Sequence, residues 1–269
     1  MKPAVEDGMH IGIFETEKLA VAKAAQLVVD VFSRERDANL GVATGSSPLG
    51  LYEFLRAAHA DGTFDLSRSK VFALDEYVGI DRDNPESYRN VLMKELVGDD
   101  KTGLPEESLR TPNGQGENPD VAAYEFDKEI QEFGGIDLQI LGIGADGHIG
   151  FNEPGCCLAS RTHYEVLAAQ TIQDNARFFG SDPKRVPTTC LTQGLGTIMA
   201  AKRLLLLAFG SAKAEAIYQL VEGSISARWP ATIMQMHPNA VVLVDNEAAS
   251  KLELSDLYQR RWEMTKCFF

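Results

Sequence analysis

The chain has 269 residues, with 26 Lys+Arg against 39 Asp+Glu, so its net charge is −13. Apolar residues make up 44% and charged residues 24%, the balance of a globular chain and too apolar for a disordered one. The acid excess excludes non-specific nucleic-acid binding, which needs a basic surface, yet it leaves room for a local basic pocket that takes a small anion. Met1 to Phe14 carries Glu6, Asp7 and His10 and has no apolar h-region, which predicts no secretory signal. An amphipathic stretch, Lys18 to Phe32, predicts the first helix. Leu40 to Thr44 is a nearly continuous apolar run and predicts a buried strand. A helix over Pro48–His59, a strand over Val71–Leu74 and a helix over Ser87–Leu96 follow. The Pro/Gly/Asn-rich stretch Pro112–Pro119 reads as a surface loop, not a domain boundary, and leads into a helix over Val121–Phe133. Strands are predicted again at Leu138–Gly142, Leu204–Phe209 and Val241–Asp245, with a helix over Ala212–Val221 between the last two.

This order predicts one domain with a three-layer α/β fold. Its sheet is mostly parallel and Rossmann-like, with helices on both faces. The longest apolar runs, such as Leu204–Phe209, fall far short of the roughly 20 residues that a membrane helix needs, so no membrane partner is expected. Cys156, Cys157, Cys190 and Cys267 form no CxxC pair and no metal-ligand framework. They predict a reduced, intracellular protein, with Cys156 and Cys157 as two small buried hydrophobes.

In open α/β sheets, ligands bind beyond the carboxyl ends of the strands, so three loops hold the candidate site. The first is Thr44-Gly45-Ser46-Ser47-Pro48. Pro48 suits a first helical position and Ser47 the N-cap before it. Gly45 allows close backbone approach, and free N–H groups at the helix start complete an anion cradle. No Gly-Lys-Ser/Thr follows, so this is not a Walker A loop. Taken alone, the pattern is equally that of an ordinary capped βα turn.

The second loop opens at Asp75-Glu76-Tyr77, directly after a strand. Successive strand residues face opposite ways, so one carboxylate points into a given pocket and can act there as a base. Alone, the pair also reads as a hydrated turn. The third loop, Gly142 to Gly155, gathers Asp146, His148, Asn152 and Glu153 among glycines. Gly142, Gly144 and Gly147 match GxGxxG spacing, but Gly150, Pro154 and Gly155 break the chain before a helix can open. His148 exchanges protons near neutral pH, and Asp146 and Glu153 flank it in sequence as candidate orienting groups.

Together these loops carry a resemblance. Thr44 to Pro48, Leu74 to Gly79, Pro85-Glu86-Ser87-Tyr88, Gly144 to Pro154, Leu158 to Thr162, Ala176 to Phe179 and Gly210 to Ala214 are similar to motifs of the glucosamine-6-phosphate deaminases. That family shares a superfamily with the 6-phosphogluconolactonases, and the likeness runs from about residue 10 to about residue 250. The lactonases share the phosphate loop and an Asp-Gly-His, but typically lack the Asp-Glu-Tyr and Phe-Asn-Glu-Pro found here.

The resemblance implies a sugar phosphate as partner, held at Gly45, Ser46 and Ser47, with Arg177 and Lys213 supplying positive charge. It implies that His148, with Asp146 and Glu153, moves the proton that opens the pyranose ring, and that Asp75 shuttles a proton between C2 and C1. No metal or organic cofactor is implied. A lid over about residues 172–196 and a cytoplasmic location also follow from it. One departure stands out. Where activated relatives carry a serine, an arginine and a lysine for N-acetylglucosamine 6-phosphate, this chain has Cys156, His163 and Glu165. Weak or absent activation is therefore expected, with a monomer or a homo-oligomer as the assembly. Trp262, Phe268 and Phe269 suit either an interface or packing on the chain's own surface. Three readings of function compete: the isomerising deaminase, acting on the glucosamine or the galactosamine phosphate; a lactonase-type hydrolase; and a sugar-phosphate sensor, which the intact acid–base residues oppose.

Overall fold

A computed structural model describes residues 8–265 and 269. In chain order the elements are β1 (Gly8–Phe14), α1 (Glu17–Arg34), β2 (Leu40–Val42), α2 (Ser46–Ala60), β3 (Val71–Ala73), β4 (Asp75–Tyr77), α3 (Tyr88–Leu96), β5 (Leu109–Arg110) and α4 (Pro119–Glu132). They continue with β6 (Leu138–Leu141), β7 (His163–Val166), α5 (Ala169–Asn175), β8 (Thr189–Thr192), α6 (Leu195–Ile198), β9 (Leu204–Ala208), α7 (Ala214–Glu222), β10 (Asn239–Asp245) and α8 (Ser255–Met264).

Seven strands form one sheet in the order β1-β10-β9-β6-β2-β3-β5, every pair parallel. Side chains alternate across it. Leu40, Val71, Leu138, Leu205 and Val241 enter the core beneath α1, α2 and α3. Ile11, Phe72, Leu141, Leu206 and Val242 enter the core beneath α4, α6 and α7. Burial on both faces is why these strands read as continuous apolar runs. β1 was hidden by Gly8, His10 and Gly12, which interrupt its apolar pattern, and β5 has only two residues.

The chain leaves β2 toward β3 on one side, while β6 joins β2 on the other. The two halves of the sheet diverge at this junction, and the crevice beyond it is where such sheets hold ligands. The loops after β2 and β6 both open there. A second sheet, antiparallel in the order β4-β8-β7, starts one residue beyond β3 and stands over the crevice. Its strands are short and belong to no long apolar run, so sequence periodicity does not predict it.

Two expectations outside the crevice are resolved. Trp262 packs edge-on against Phe14, with ring centroids 5.8 Å apart, and Phe269 is buried in the core beneath α1. Both pack against the chain itself; Phe268 lies outside the described residues, as does Cys267. The buried pair expected at Cys156-Cys157 is corrected: Cys156 is half-buried and Cys157 exposed. The turn presents the two side chains to opposite environments. Burial pushes the Cys156 thiol up to about 11, with the nearby Glu165 charge adding to it. Among the described residues no helix is long and apolar enough to cross a membrane.

Candidate active site

A cavity of about 530 Å³ fills the crevice. That volume suits a small polar metabolite. Gly45, Ser46, Ser47, Asp75, His148, Arg177 and Lys213 all line it.

The first wall is the entry to α2, and here the expected cap is corrected. Gly45, not Ser47, precedes the helix, so Pro48 is its third residue. Gly45 has φ 105°, a region that side chains strain to reach. This freedom starts the helix early and leaves the N–H groups of Ser46 and Ser47 in its first turn. Pro48, which has no N–H, then falls where a donor would in any case lack a partner within the helix. No side chain closes the turn. Arg177, in the turn after α5, and Lys213, just before α7, bring charge to the same cavity. The Arg177 guanidinium stacks 4.8 Å from the Phe178 ring centroid. Burial lowers the Lys213 pKa; Asp174 opposes this and Arg177 reinforces it. Two cations in one pocket repel each other until an anion enters.

The second wall is β4. Strand alternation sends Asp75 into the cavity and Glu76 away from it. Glu76 closes the start of α3, accepting from the N–H groups of Tyr88 at 3.0 Å and Arg89 at 2.9 Å. Asp75 is 6% exposed, and burial raises its pKa well above the usual carboxylate range, with the charge of Glu76 adding to it.

The third wall is the Gly142–Gly155 loop, which opens no helix, in keeping with the weakness of the GxGxxG match. Gly144 has no room for a side chain, because a Cβ there would run into His148 and Asp146. His148 Nδ1 lies 2.8 Å from Asp146 Oδ1 and 3.9 Å from Glu153 Oε2. Both carboxylates stand behind the imidazole, not on the cavity wall. Neither contact is in hydrogen-bond alignment, since Nδ1 and Glu153 Oε2 are buried polar atoms without a hydrogen-bond partner. Burial pushes Asp146 up, but the nearby imidazole of His148 and its backbone N–H, which donates to Oδ1 at 3.2 Å, outweigh it and hold the carboxyl at about 2. The three groups lie within 4.8 Å of one another, close enough to admit a cation, a donor set that the His and Cys spacing alone does not reveal. Asn152 is a brace: its amide donates to Ile149 and Gln193 carbonyls, both at 2.8 Å.

Cavity residues to which the sequence assigns no role include Tyr88, Gln170, Thr171 and Asn175. Tyr88 donates to the Tyr77 hydroxyl at 3.1 Å, and Asn175 donates to the same oxygen at 2.9 Å. This ties α5 to β4 and α3. Tyr88 ends the Pro85 to Tyr88 motif and Asn175 adjoins Ala176 to Phe179, which was the available signal.

Comparisons with known proteins identify the family. The sequence profile of the glucosamine-6-phosphate isomerases/6-phosphogluconolactonase family matches residues 15–243. A glucosamine-6-phosphate deaminase of Beutenbergia cavernae is 51% identical over 245 residues, covering 90% of this chain and 93% of that protein. Another, from Bifidobacterium longum subsp. infantis, is 50% identical over 256 residues, 93% of this chain and 95% of its own length. The solved structure of a monomeric glucosamine-6-phosphate deaminase superposes with a TM-score of 0.86 at 37% identity, covering 90% of this chain and 99% of that one. A 6-phosphogluconolactonase from Trypanosoma brucei shares the fold, with a TM-score of 0.73 at 18% identity over 91% of this chain and 99% of its own. The chain belongs to the family of glucosamine-6-phosphate isomerases and 6-phosphogluconolactonases, and within it to the deaminases.

Proposed function

We propose that this chain is an aldose–ketose isomerising deaminase that converts glucosamine 6-phosphate and water to fructose 6-phosphate and ammonium. One observation carries the reading: a raised-pKa carboxylate, Asp75, and a carboxylate-backed imidazole, His148, line the same cavity as Arg177, Lys213 and the open turn of α2. Gly45, Ser46 and Ser47 bind the phosphate through N–H and hydroxyl groups, and Arg177 and Lys213 neutralise it. His148 carries the proton that opens the ring, with Asp146 and Glu153 balancing the imidazolium. Asp75 takes the C2 proton and returns it at C1, through an enolamine. Water then adds at C2 and ammonia departs. No step requires a metal or an organic cofactor.

The protein works in the cytoplasm, as a single sugar-phosphate domain whose lid spans about residues 172–196. The solved monomeric relative supports a monomer, although a homo-oligomer is compatible with the same site. On β7, His163 Nε2 lies 3.4 Å from Glu165 Oε2, and the Glu165 charge reaches Cys156. An anionic effector meets a carboxylate there. Titration with N-acetylglucosamine 6-phosphate is therefore expected to leave the substrate curve in place; a large left shift would refute this.

Ammonium release from glucosamine 6-phosphate tests the main reading. Asp75→Asn is expected to lose at least 10²–10⁴-fold in kcat, the contribution of a general base, while retaining phosphate-dependent binding. Absence of ammonium from both the glucosamine and galactosamine phosphates would sink the deaminase, and turnover of 6-phosphogluconolactone would replace it.

A further inference from the structure

Thr171 lies on α5, 3% exposed, and borders the cavity. Its hydroxyl donates to Glu153 Oε1 at 2.6 Å, and the Ala168 N–H donates to the same oxygen at 3.0 Å. The other oxygen, Oε2, is buried without a hydrogen-bond partner and lies 3.9 Å from His148 Nδ1. One oxygen of the carboxylate is thus fastened and the other left for the imidazole. The last torsion of a glutamate is broad, so the carboxylate plane has no strong preference of its own. Two donors on one oxygen remove that freedom.

We propose that Thr171 is a positioning residue for ring opening. Its hydroxyl orients Glu153 so that Oε2 faces His148. The proposal rests on the reading of Asp146, His148 and Glu153 as the ring-opening group. It also gives α5 a linking role. Thr171 near the start of the helix holds Glu153, and Arg177, two residues past its end, meets the cavity where the phosphate is proposed to sit. A phosphate that grips Arg177 steadies the same short segment that aims Glu153. Holding such groups to a fraction of an ångström is what separates an active constellation from a loose one.

The test compares Thr171→Val, Thr171→Ser, Glu153→Gln and the double variant Glu153→Gln/Thr171→Val, each checked for folding by circular dichroism and melting. The readouts are kcat, KM and the Kd of 2-amino-2-deoxyglucitol 6-phosphate, an open-chain probe with the phosphate but no ring to open. Thr171→Val is expected to lose about tenfold in kcat, the loss that one hydrogen bond to a charged group brings. Its KM and probe Kd stay within about twofold, and Thr171→Ser keeps kcat within about twofold of the parent. The double variant is expected to be no slower than Glu153→Gln alone, because Thr171 acts through Glu153. An unchanged kcat in Thr171→Val beside a slow Glu153→Gln would overturn the inference. So would a raised KM with weakened probe binding, which would mark a lid-packing role, or fully additive losses. If Glu153→Gln keeps parental turnover, the ring-opening reading itself fails, and the role of Thr171 falls with it.

Discussion

Asp75 has no hydrogen-bond donor among the described residues, and its neighbour Glu76 carries like charge. Burial comes first and that charge second in raising its pKa. A base must be ionised to act, so the acid limb of kcat/KM is expected above the ordinary carboxylate range. The same shift has a stability sign. The folded chain holds this proton more firmly than the unfolded chain, so the group's contribution is complete at pH below the ordinary carboxylate range. It is lost as pH rises through the raised pKa. Asp75→Asn, which cannot ionise, is therefore expected to melt higher than the parent at pH 7, with the gap closing toward pH 3; melting curves at both pH values check this. A lower melting point at pH 7 would show that the carboxylate supports the fold instead. The position of Asp75 was legible because a carboxylate at a strand's end has two possible directions, of which β4 uses both, one for each acid. The cap at Ser47 was misread because local sequence does not display the φ that Gly45 adopts. Thr171 was invisible for a different reason: its partner Glu153 is 18 residues away, and only the folded chain brings the two together.

At the scale of elements, α5 and the turn after it form a further wall of the cavity. They are held by contacts of two kinds. Asn175 reaches the Tyr77 hydroxyl, and Phe179 packs edge-on against the Tyr77 ring at 5.7 Å. Arg177 and Lys213 reach one cavity from separate elements, so removing either leaves the other's scaffold intact. Arg177→Ala and Lys213→Ala are each expected to raise KM by about 10–100-fold, the worth of a charge-assisted hydrogen bond, with a smaller change in kcat. Steady-state kinetics decide this. A fall in kcat at unchanged KM would move these cations from ground-state binding to the transition state. The strands of the large sheet could be read directly, since burial on both faces leaves an unbroken apolar trace. The small sheet could not. β7 alternates between half-buried and exposed residues, and β4 is a run of charged and polar residues buried by tertiary contacts.

At the scale of the whole molecule, a net charge of −13 coexists with a cavity that gathers two cations and an open helix start. The sequence showed these parts on separate loops; the divergence of strands at β2 and β6 is what collects them. The bare first turn of α2 then has a consequence beyond binding. A helix that lacks its own cap is completed by whatever anion arrives, so occupancy and folding free energy are linked. At a ligand concentration of about 100 Kd the folded state gains about 2.7 kcal/mol. Unfolded copies are what cellular proteases remove, and a difference of this size changes abundance several-fold. Bound sugar phosphate is therefore expected to slow proteolysis of the purified chain, and equal digestion with and without it would show that the bare turn gains nothing from an anion.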